Sequence, residues 1–196
     1  ITVVTLDISR ENDFLQWLAL YHQNHPEIAG VIHGAGTACH LKLEELSEDN
    51  LAQELGGKMG GASAIDHFFK AGSVDFLILL SSASALLPSP LLSAYSASNA
   101  YLDGMAAKRR QSSIDDRSIS IQWGSFRDIG LMARNNPNLS RMGLDPEAAT
   151  QLTPGLFHLA LRENLSSFMV LSNADESIAH SIALDNGSNH AYLTVI

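Results

Sequence analysis

The chain has 196 residues, which is the length of one large domain or a compact pair of domains. Its 45% apolar and 17% charged residues exclude a disordered tail, a collagen-like fibre and a coiled coil, and its longest strongly apolar run, 76–80, is too short to cross a membrane. The net charge of −9 argues against nucleic acid as a partner, and the single cysteine, Cys39, excludes an internal disulfide. With no recognisable signal peptide, we expect a cytoplasmic protein without a membrane partner.

Short apolar segments alternate along the chain with longer segments of helical period. The segments predicted as strands are 1–6, 28–33, 74–80, 119–123 and 168–171. Those predicted as helices follow the N-cap residues Ser9 and Ser47 and cover 95–111 and 146–162. This alternation predicts an α/β fold with a doubly wound parallel sheet. We expect one domain over residues 1–184, with a mobile flap at 127–145 and a poorly ordered polar tail at 185–196.

Small and polar residues follow three of the predicted strands at their carboxyl ends, where open parallel sheets bind ligands. They are His33-Gly-Ala-Gly36, Ser81-Ser82 and Trp123-Gly124. The small residues would let a flat ligand approach the backbone.

Four polar residues around these strand ends fit the reduction of a carbonyl group. Tyr95 and Asn99 lie four residues apart on one helical face, Ser82 precedes Tyr95 by thirteen residues, and Lys58 falls on the apolar stripe of the preceding helix. A hydride added to a ketone builds negative charge on oxygen, so the site needs an acid and a second hydrogen-bond donor. An ammonium ~4 Å from a phenol contributes roughly 4 kcal/mol at an effective dielectric of ~20, so we expect Lys58 to lower the pKa of Tyr95. Ser82 is the second donor in this scheme, and Asn99 holds Lys58 or a bridging water.

These residues resemble the ketoreductase domain of modular polyketide synthases, a branch of the short-chain dehydrogenase/reductase superfamily. The motifs are Ile32-His-Gly-Ala-Gly36, Lys58, Ser81-Ser82, Tyr95-Ser-Ala-Ser-Asn99-Ala-Tyr-Leu-Asp103 and Gln122-Trp-Gly124. Asn99 stands where most of the superfamily has lysine, and the spacings of 24 residues from Lys58 to Ser82 and 13 from Ser82 to Tyr95 match this branch. The resemblance covers about residues 1–180.

The resemblance implies an oxidoreductase that uses NADPH to reduce a β-ketoacyl thioester on an acyl carrier protein, beside the neighbouring polyketide synthase domains. It makes Tyr95 the proton donor, has Ser82 orient the carbonyl, and gives Asn99 the role of positioning Lys58. The cofactor-binding residues that it implies are Asp7, Ile8, His33, Gly34, Ala35, Gly36, Lys58, Tyr95, Trp123 and Gly124. The substrate-binding residues that it implies are Ser81, Ser82, Phe126, Leu131 and Met132.

The sequence departs from this family in two respects. The first strands and the glycine-rich dinucleotide turn are not in the chain, so we expect them to be supplied by a longer polypeptide or separately. The family's stereochemical markers are also missing, because Thr37-Ala-Cys-His40 and Leu87 occupy their places.

Three alternative interpretations remain beside the reductase. In the first, the chain is an inactive remnant that serves as a scaffold. In the second, it holds zinc through His33, Cys39 and His40. In the third, it is a serine hydrolase, although a Gly-x-Ser-x-Gly elbow is lacking. A cluster of basic residues also has two interpretations, a helix C-terminus that favours cations or a docking patch for the carrier protein. Its members are Lys108, Arg109, Arg110 and Arg117.

Overall fold

The computed structural model describes residues 1–25, 27–87, 90–135, 143–172 and 192–194. Within these residues, five parallel strands form one sheet in the order β1-β2-β3-β4-β5. The strands are β1 (Gly30–His33), β2 (Phe76–Ser82), β3 (Ser118–Trp123), β4 (Ser167–Leu171) and β5 (Tyr192–Thr194). The α-helices are α1 (Glu11–Asn24), α2 (Glu48–Leu55), α3 (Gly61–Phe68), α4 (Ser93–Ser112), α5 (Gly130–Asn135) and α6 (Pro146–Arg162).

Helices cover both faces of the sheet. Helices α1, α3 and α4 pack on one face, where Phe14, Ile65 and Leu102 meet Leu77 and Leu79 of β2. On the other face, α6 packs against β3 and β4 in a second apolar cluster. The predicted doubly wound α/β fold is therefore confirmed.

The segment 1–6 does not form the predicted strand. Ile1 and Val3 are exposed, and β1 pairs only with β2 among the described residues. An extended segment needs a neighbouring strand to satisfy its backbone groups, and no described strand lies beside this one.

The first predicted N-cap is also wrong. Helix α1 begins at Glu11 after Arg10, while the Ser9 amide and hydroxyl donate to the Asp7 carboxylate at 3.0 and 2.7 Å. The second is confirmed, because the Ser47 hydroxyl accepts from the Asn50 amide.

A π-helical turn, Gly56–Gly60, joins α2 to α3 into a continuous helical segment. Its glycine pairs are poor helix formers, and π turns inside helices are frequent at functional sites. In the tail 185–196, only β5 is described, so residues 192–194 are in a strand rather than poorly ordered. The middle of the predicted flap, residues 136–142, lies outside the described residues.

Candidate functional site

A cavity of about 510 Å³ lies at the carboxyl ends of β1, β2 and β3. Parallel strands place these ends at one edge of the sheet, as the sequence predicts. Three of the four residues expected to carry the chemistry, Lys58, Ser82 and Tyr95, line this cavity. They come from the π turn, the end of β2 and the first turn of α4.

Lys58 is buried, with 4% of its surface exposed, and points from the π turn toward β2 and α4. Its Nζ donates to the Leu80 carbonyl at 2.8 Å and lies 5.6 Å from the centroid of the Tyr95 ring. Burial lowers the pKa of Lys58 to about 8, against the opposing charges of Asp103 and Glu54. The ammonium and the phenol are thus on the same side of the sheet, as the chemical interpretation requires.

Burial raises the pKa of the Tyr95 phenol, and the side chains of Ser82 and Asn99 act in the opposite direction. The net shift is opposite to the one expected from Lys58, because desolvation dominates and the ammonium donates to the Leu80 carbonyl. Tyr95 consequently stays protonated at neutral pH, which is the form that a proton donor needs.

The two serines at the end of β2 face opposite sides of the sheet. The Ser82 hydroxyl lies at the cavity and accepts from the Ser84 amide and hydroxyl, at 3.2 and 3.0 Å. Ser81 also contributes to the cavity lining, but its hydroxyl donates to the Asn99 carbonyl of α4 at 3.2 Å.

Asn99 is buried behind Tyr95, and its Nδ2 donates to the Tyr95 carbonyl at 2.7 Å. Its Oδ1 is buried without a hydrogen-bond partner among the described residues, so no direct bond to Lys58 is formed. Asn99 therefore contacts the backbone of the Tyr95 turn rather than Lys58 itself.

The residues expected to bind a cofactor are only partly brought together. Gly34, Gly36, Trp123 and Gly124 line the cavity beside Lys58 and Tyr95. A Cβ on Gly36 would lie 2.8 Å from Lys58 Cε, and one on Gly124 would lie 3.2 Å from the Val170 carbonyl oxygen, so a side chain at either position would press on a neighbouring group. These bare backbone edges fit a flat ring such as nicotinamide.

The other expected cofactor residues are not among those that line the cavity. The Asp7 carboxylate holds the turn before α1, and its pKa is lowered by the hydrogen bonds from Ser9. Ile8 packs against the apolar core, and Ala35 is not among the lining residues. The buried His33 imidazole contacts the Lys58 carbonyl through Nε2 at 3.0 Å, and burial lowers its pKa.

An apolar wall also lines the cavity. It includes Phe126 and Leu131, as expected for substrate-binding residues, while the side chain of Met132 lies outside what the structure describes. A β-bridge between Phe126 and Leu144 and an ion pair between Arg127 and Asp145 hold this wall against the start of α6.

Two carboxylates that act on Lys58 were not predicted from the sequence. Glu54 is 1% exposed, and its Oε2 accepts from the Cys39 amide at 2.6 Å. Asp103 accepts from Ser120 Oγ at 2.6 Å and Gln122 Nε2 at 2.7 Å. Their spacing in the sequence could have indicated them, because residues four or eight apart on a helix share one face. Glu54 lies four residues before Lys58, and Asp103 lies eight after Tyr95.

Two other sequence interpretations find no support. The described residues contain no group of three or more His, Cys, Asp or Glu side chains that could hold a metal ion. Arg109, expected in a surface docking patch, is buried with 1% exposure, because its guanidinium is enclosed by α3, α4 and β3.

No helix within the described ranges is long and apolar enough to cross a membrane.

Comparison with known proteins identifies a family match over residues 1–128, to the KR domain. The chain is 35% identical over 131 residues to 6-methylsalicylic acid synthase of Aspergillus niger, and 36% identical over 129 residues to mellein synthase of Phaeosphaeria nodorum. The alignments cover 67% and 65% of this chain, but the chain spans only 7% of the length of either relative.

Among solved structures, a fold match covers 80% of this chain and 34% of an A-type ketoreductase from a modular polyketide synthase. The TM-score is 0.68 and the sequence identity is 25%. The similarity therefore includes both the sequence motifs and the arrangement of the sheet and helices.

Proposed function

Because the chain belongs to the KR domain family of polyketide synthases, within the short-chain dehydrogenase/reductase superfamily, we propose that it reduces a β-ketoacyl thioester to the β-hydroxyacyl form. The observation that carries the proposal is the convergence of Lys58, Ser82 and Tyr95 on one cavity. We further propose NADPH as the reductant and an acyl carrier protein as the carrier of the substrate, within a larger polyketide synthase.

Tyr95 is the proton donor in this proposal. When hydride adds to the carbonyl carbon, the oxygen gains negative charge, and the phenol proton moves to it. An alkoxide is about as basic as hydroxide, whose conjugate acid has a pKa of about 15.7, so even a phenol with a raised pKa is acidic enough to protonate it. The raised pKa keeps the Tyr95 hydroxyl protonated between turnovers.

Lys58 stabilises the phenolate that remains after this transfer. Its Nζ lies 5.6 Å from the Tyr95 ring centroid, so its positive charge attracts a phenolate more strongly than the neutral phenol. This difference favours the charged state that forms during the reaction.

Ser82 supplies a second hydroxyl at the cavity and would donate to the same carbonyl oxygen. The residues that would hold the nicotinamide end of a cofactor are Gly34, Gly36, Lys58 and the Trp123–Gly124 turn. When bound, the cofactor supplies the hydride. Phe126 and Leu131 would offer apolar surface to the acyl chain of the substrate.

The test is the oxidation of NADPH by the full-length protein with a β-ketoacyl thioester as substrate. Tyr95→Phe removes the donor proton but keeps the ring, and we expect kcat to fall by about 10²–10⁴-fold. Tyr101→Phe is the matched control, because Tyr101 lies on the same helix with its side chain exposed, and it should leave kcat unchanged. Repeating the assay with NADH tests the proposed preference for NADPH.

One result would overturn the proposed function, and another would overturn only the role of Tyr95. A folded wild-type protein that does not oxidise NADPH with the thioester supports the scaffold alternative. Equal rates for Tyr95→Phe and wild type would leave reductase activity intact but remove Tyr95 as the donor.

A further inference from the structure

Asp103 is a buried-face carboxylate for which the proposed reaction has no role. It is the third of three polar residues spaced four apart on α4, after Tyr95 and Asn99, so all three share one helical face. Burial raises the pKa of Asp103, while hydrogen bonds from Ser120, Gln122 and Ser81 and the charge of Lys58 lower it. A half-buried carboxylate kept in this position calls for a physical explanation.

The first part of the explanation is mechanical. Each Asp103 oxygen accepts from a side chain of β3, Oδ1 from Ser120 and Oδ2 from Gln122, and both of these donors are buried. Ser120 and Gln122 are two residues apart on β3, so their side chains lie on the same face of the strand, and one carboxylate accepts hydrogen bonds from both. This double contact fixes the rotation and register of α4 beneath the Tyr95 turn.

The second part is electrostatic, and it concerns the groups that face Lys58. Glu54 is four residues away on the same helical segment, α4 contributes Asp103 and Tyr95, and β1 contributes His33, which contacts the Lys58 carbonyl. Asp103 exerts the largest favourable charge effect on the ammonium, followed by Glu54. The two carboxylates therefore offset part of the cost of burying a cation.

We propose that Asp103 is a positioning residue of the reductase site, which holds α4 in register on β3 and, with Glu54, keeps Lys58 protonated. This inference rests on the proposed ketoreduction for its effect on rate. Its effect on Lys58 is independent of that proposal and can be measured without substrate.

The test compares Asp103→Asn with Ser120→Ala. Asp103→Asn removes the charge but keeps the size of the side chain, whereas Ser120→Ala removes one hydrogen bond to the carboxylate and keeps its charge. Two readouts are needed. The titration of Lys58 is followed by NMR with ¹³Cε-labelled lysine in this chain, which has four lysines, and kcat is measured in the full-length protein at pH 6 and pH 8.

For Asp103→Asn we expect the Lys58 titration to move to lower pH. If its proton affinity falls tenfold, the ratio of kcat at pH 8 to kcat at pH 6 falls by about fivefold. Ser120→Ala is expected to reduce stability while leaving both the titration and this ratio as in wild type. Asp103→Glu, which retains the charge, should restore the wild-type ratio even where kcat itself is lower.

An unchanged Lys58 titration in Asp103→Asn, or an equal change in Ser120→Ala, would refute the electrostatic role. If Asp103→Asn does not fold, Glu54→Gln removes the other carboxylate facing Lys58 and should move the titration in the same direction; no movement overturns the inference. A wild-type protein without reductase activity refutes the proposed function alone, because the titration still decides the role of Asp103.

Discussion

Gly36 lies against the aliphatic part of the Lys58 side chain, and its lack of a Cβ leaves room for that side chain. A Cβ at this position would lie 2.8 Å from Lys58 Cε and 2.9 Å from Cγ, closer than carbon atoms pack. The lysine stem is flexible, so it would move rather than the backbone. The ammonium would then leave the Leu80 carbonyl that now holds it at 2.8 Å.

We therefore predict that Gly36→Ala lowers kcat by about 100-fold, the scale expected when a catalytic group is displaced by about 1 Å. Its thermal midpoint should change little. Gly60→Ala is the control, because nothing lies within 4 Å of its Cβ position and its φ of −63° is helical. That change should stabilise the fold by about 0.5–1 kcal/mol at unchanged kcat. Wild-type kcat in Gly36→Ala would contradict the role assigned to Lys58.

At the scale of elements, Arg109 joins the C-terminal half of α4 to the end of α3 and the start of β3. All five of its N–H groups donate hydrogen bonds. The acceptors are the Ser118 hydroxyl, the carboxylates of Asp66 and Asp116, and the backbone carbonyls of Phe69 and Lys70. If Arg109 were removed, the Asp116 carboxylate could not be fully hydrated, because its side chain is only 3% exposed.

Arg109→Ala should consequently reduce the free energy of unfolding by about 3–5 kcal/mol, because it leaves a buried charge without its partner. Arg117→Ala removes an exposed arginine from the same basic cluster and should change stability by less than about 0.5 kcal/mol. Urea denaturation of both variants measures the difference. Similar stabilities would show that the Arg109 network contributes little to the fold.

The elements differ in how far the sequence could predict them. Strands β1 to β4 and helix α6 follow from apolar runs and from helical period, since both patterns depend on local burial. The segment 1–6 has the same apolar pattern, but a strand also needs a neighbour, which local sequence does not specify. The π turn was likewise not predicted, because the helical period of the sequence does not reveal one extra residue in a turn.

The same limit applies to the site. The spacing of Lys58, Ser82 and Tyr95 predicted their convergence, because strand ends and helix starts meet at one edge of a parallel sheet. Glu54 and Asp103 were missed, since a carboxylate on a helix is usually solvated and only tertiary packing shows that these two face a buried lysine.

At the scale of the whole molecule, the sheet divides the interior into two unlike layers. Between α6 and the sheet, β3 contributes Ile119 and Ile121 to an apolar cluster. Between α4 and the sheet, the alternate residues of β3 are polar, and each is bonded to a charged residue of α4. The layer that carries the site therefore combines an apolar cluster on β2 with directional bonds between α4 and β3, while the layer under α6 is apolar at β3.

This polar layer makes the stability of the whole protein depend on pH through Lys58. The lysine has a pKa of about 8 in the folded protein and 10.5 as its ordinary value. Below pH 8 it is charged in both states, and the folded state bears the full cost of burying it. Between pH 8 and 10.5 the unfolded chain binds more protons, so stability rises with pH.

From pH 7 to pH 9.5, Lys58 should therefore add about 2 kcal/mol to the free energy of unfolding. Lys58→Met keeps most of the volume and removes the titration, so the rise should be smaller in this variant by that amount. Urea denaturation of both proteins at the two pH values measures it. The range stops at pH 9.5 because Tyr95, whose pKa is raised by burial, opposes the trend at higher pH. An equal rise in the two proteins would mean that the ammonium is hydrated in the folded state, and the buried cation on which the site depends would not exist.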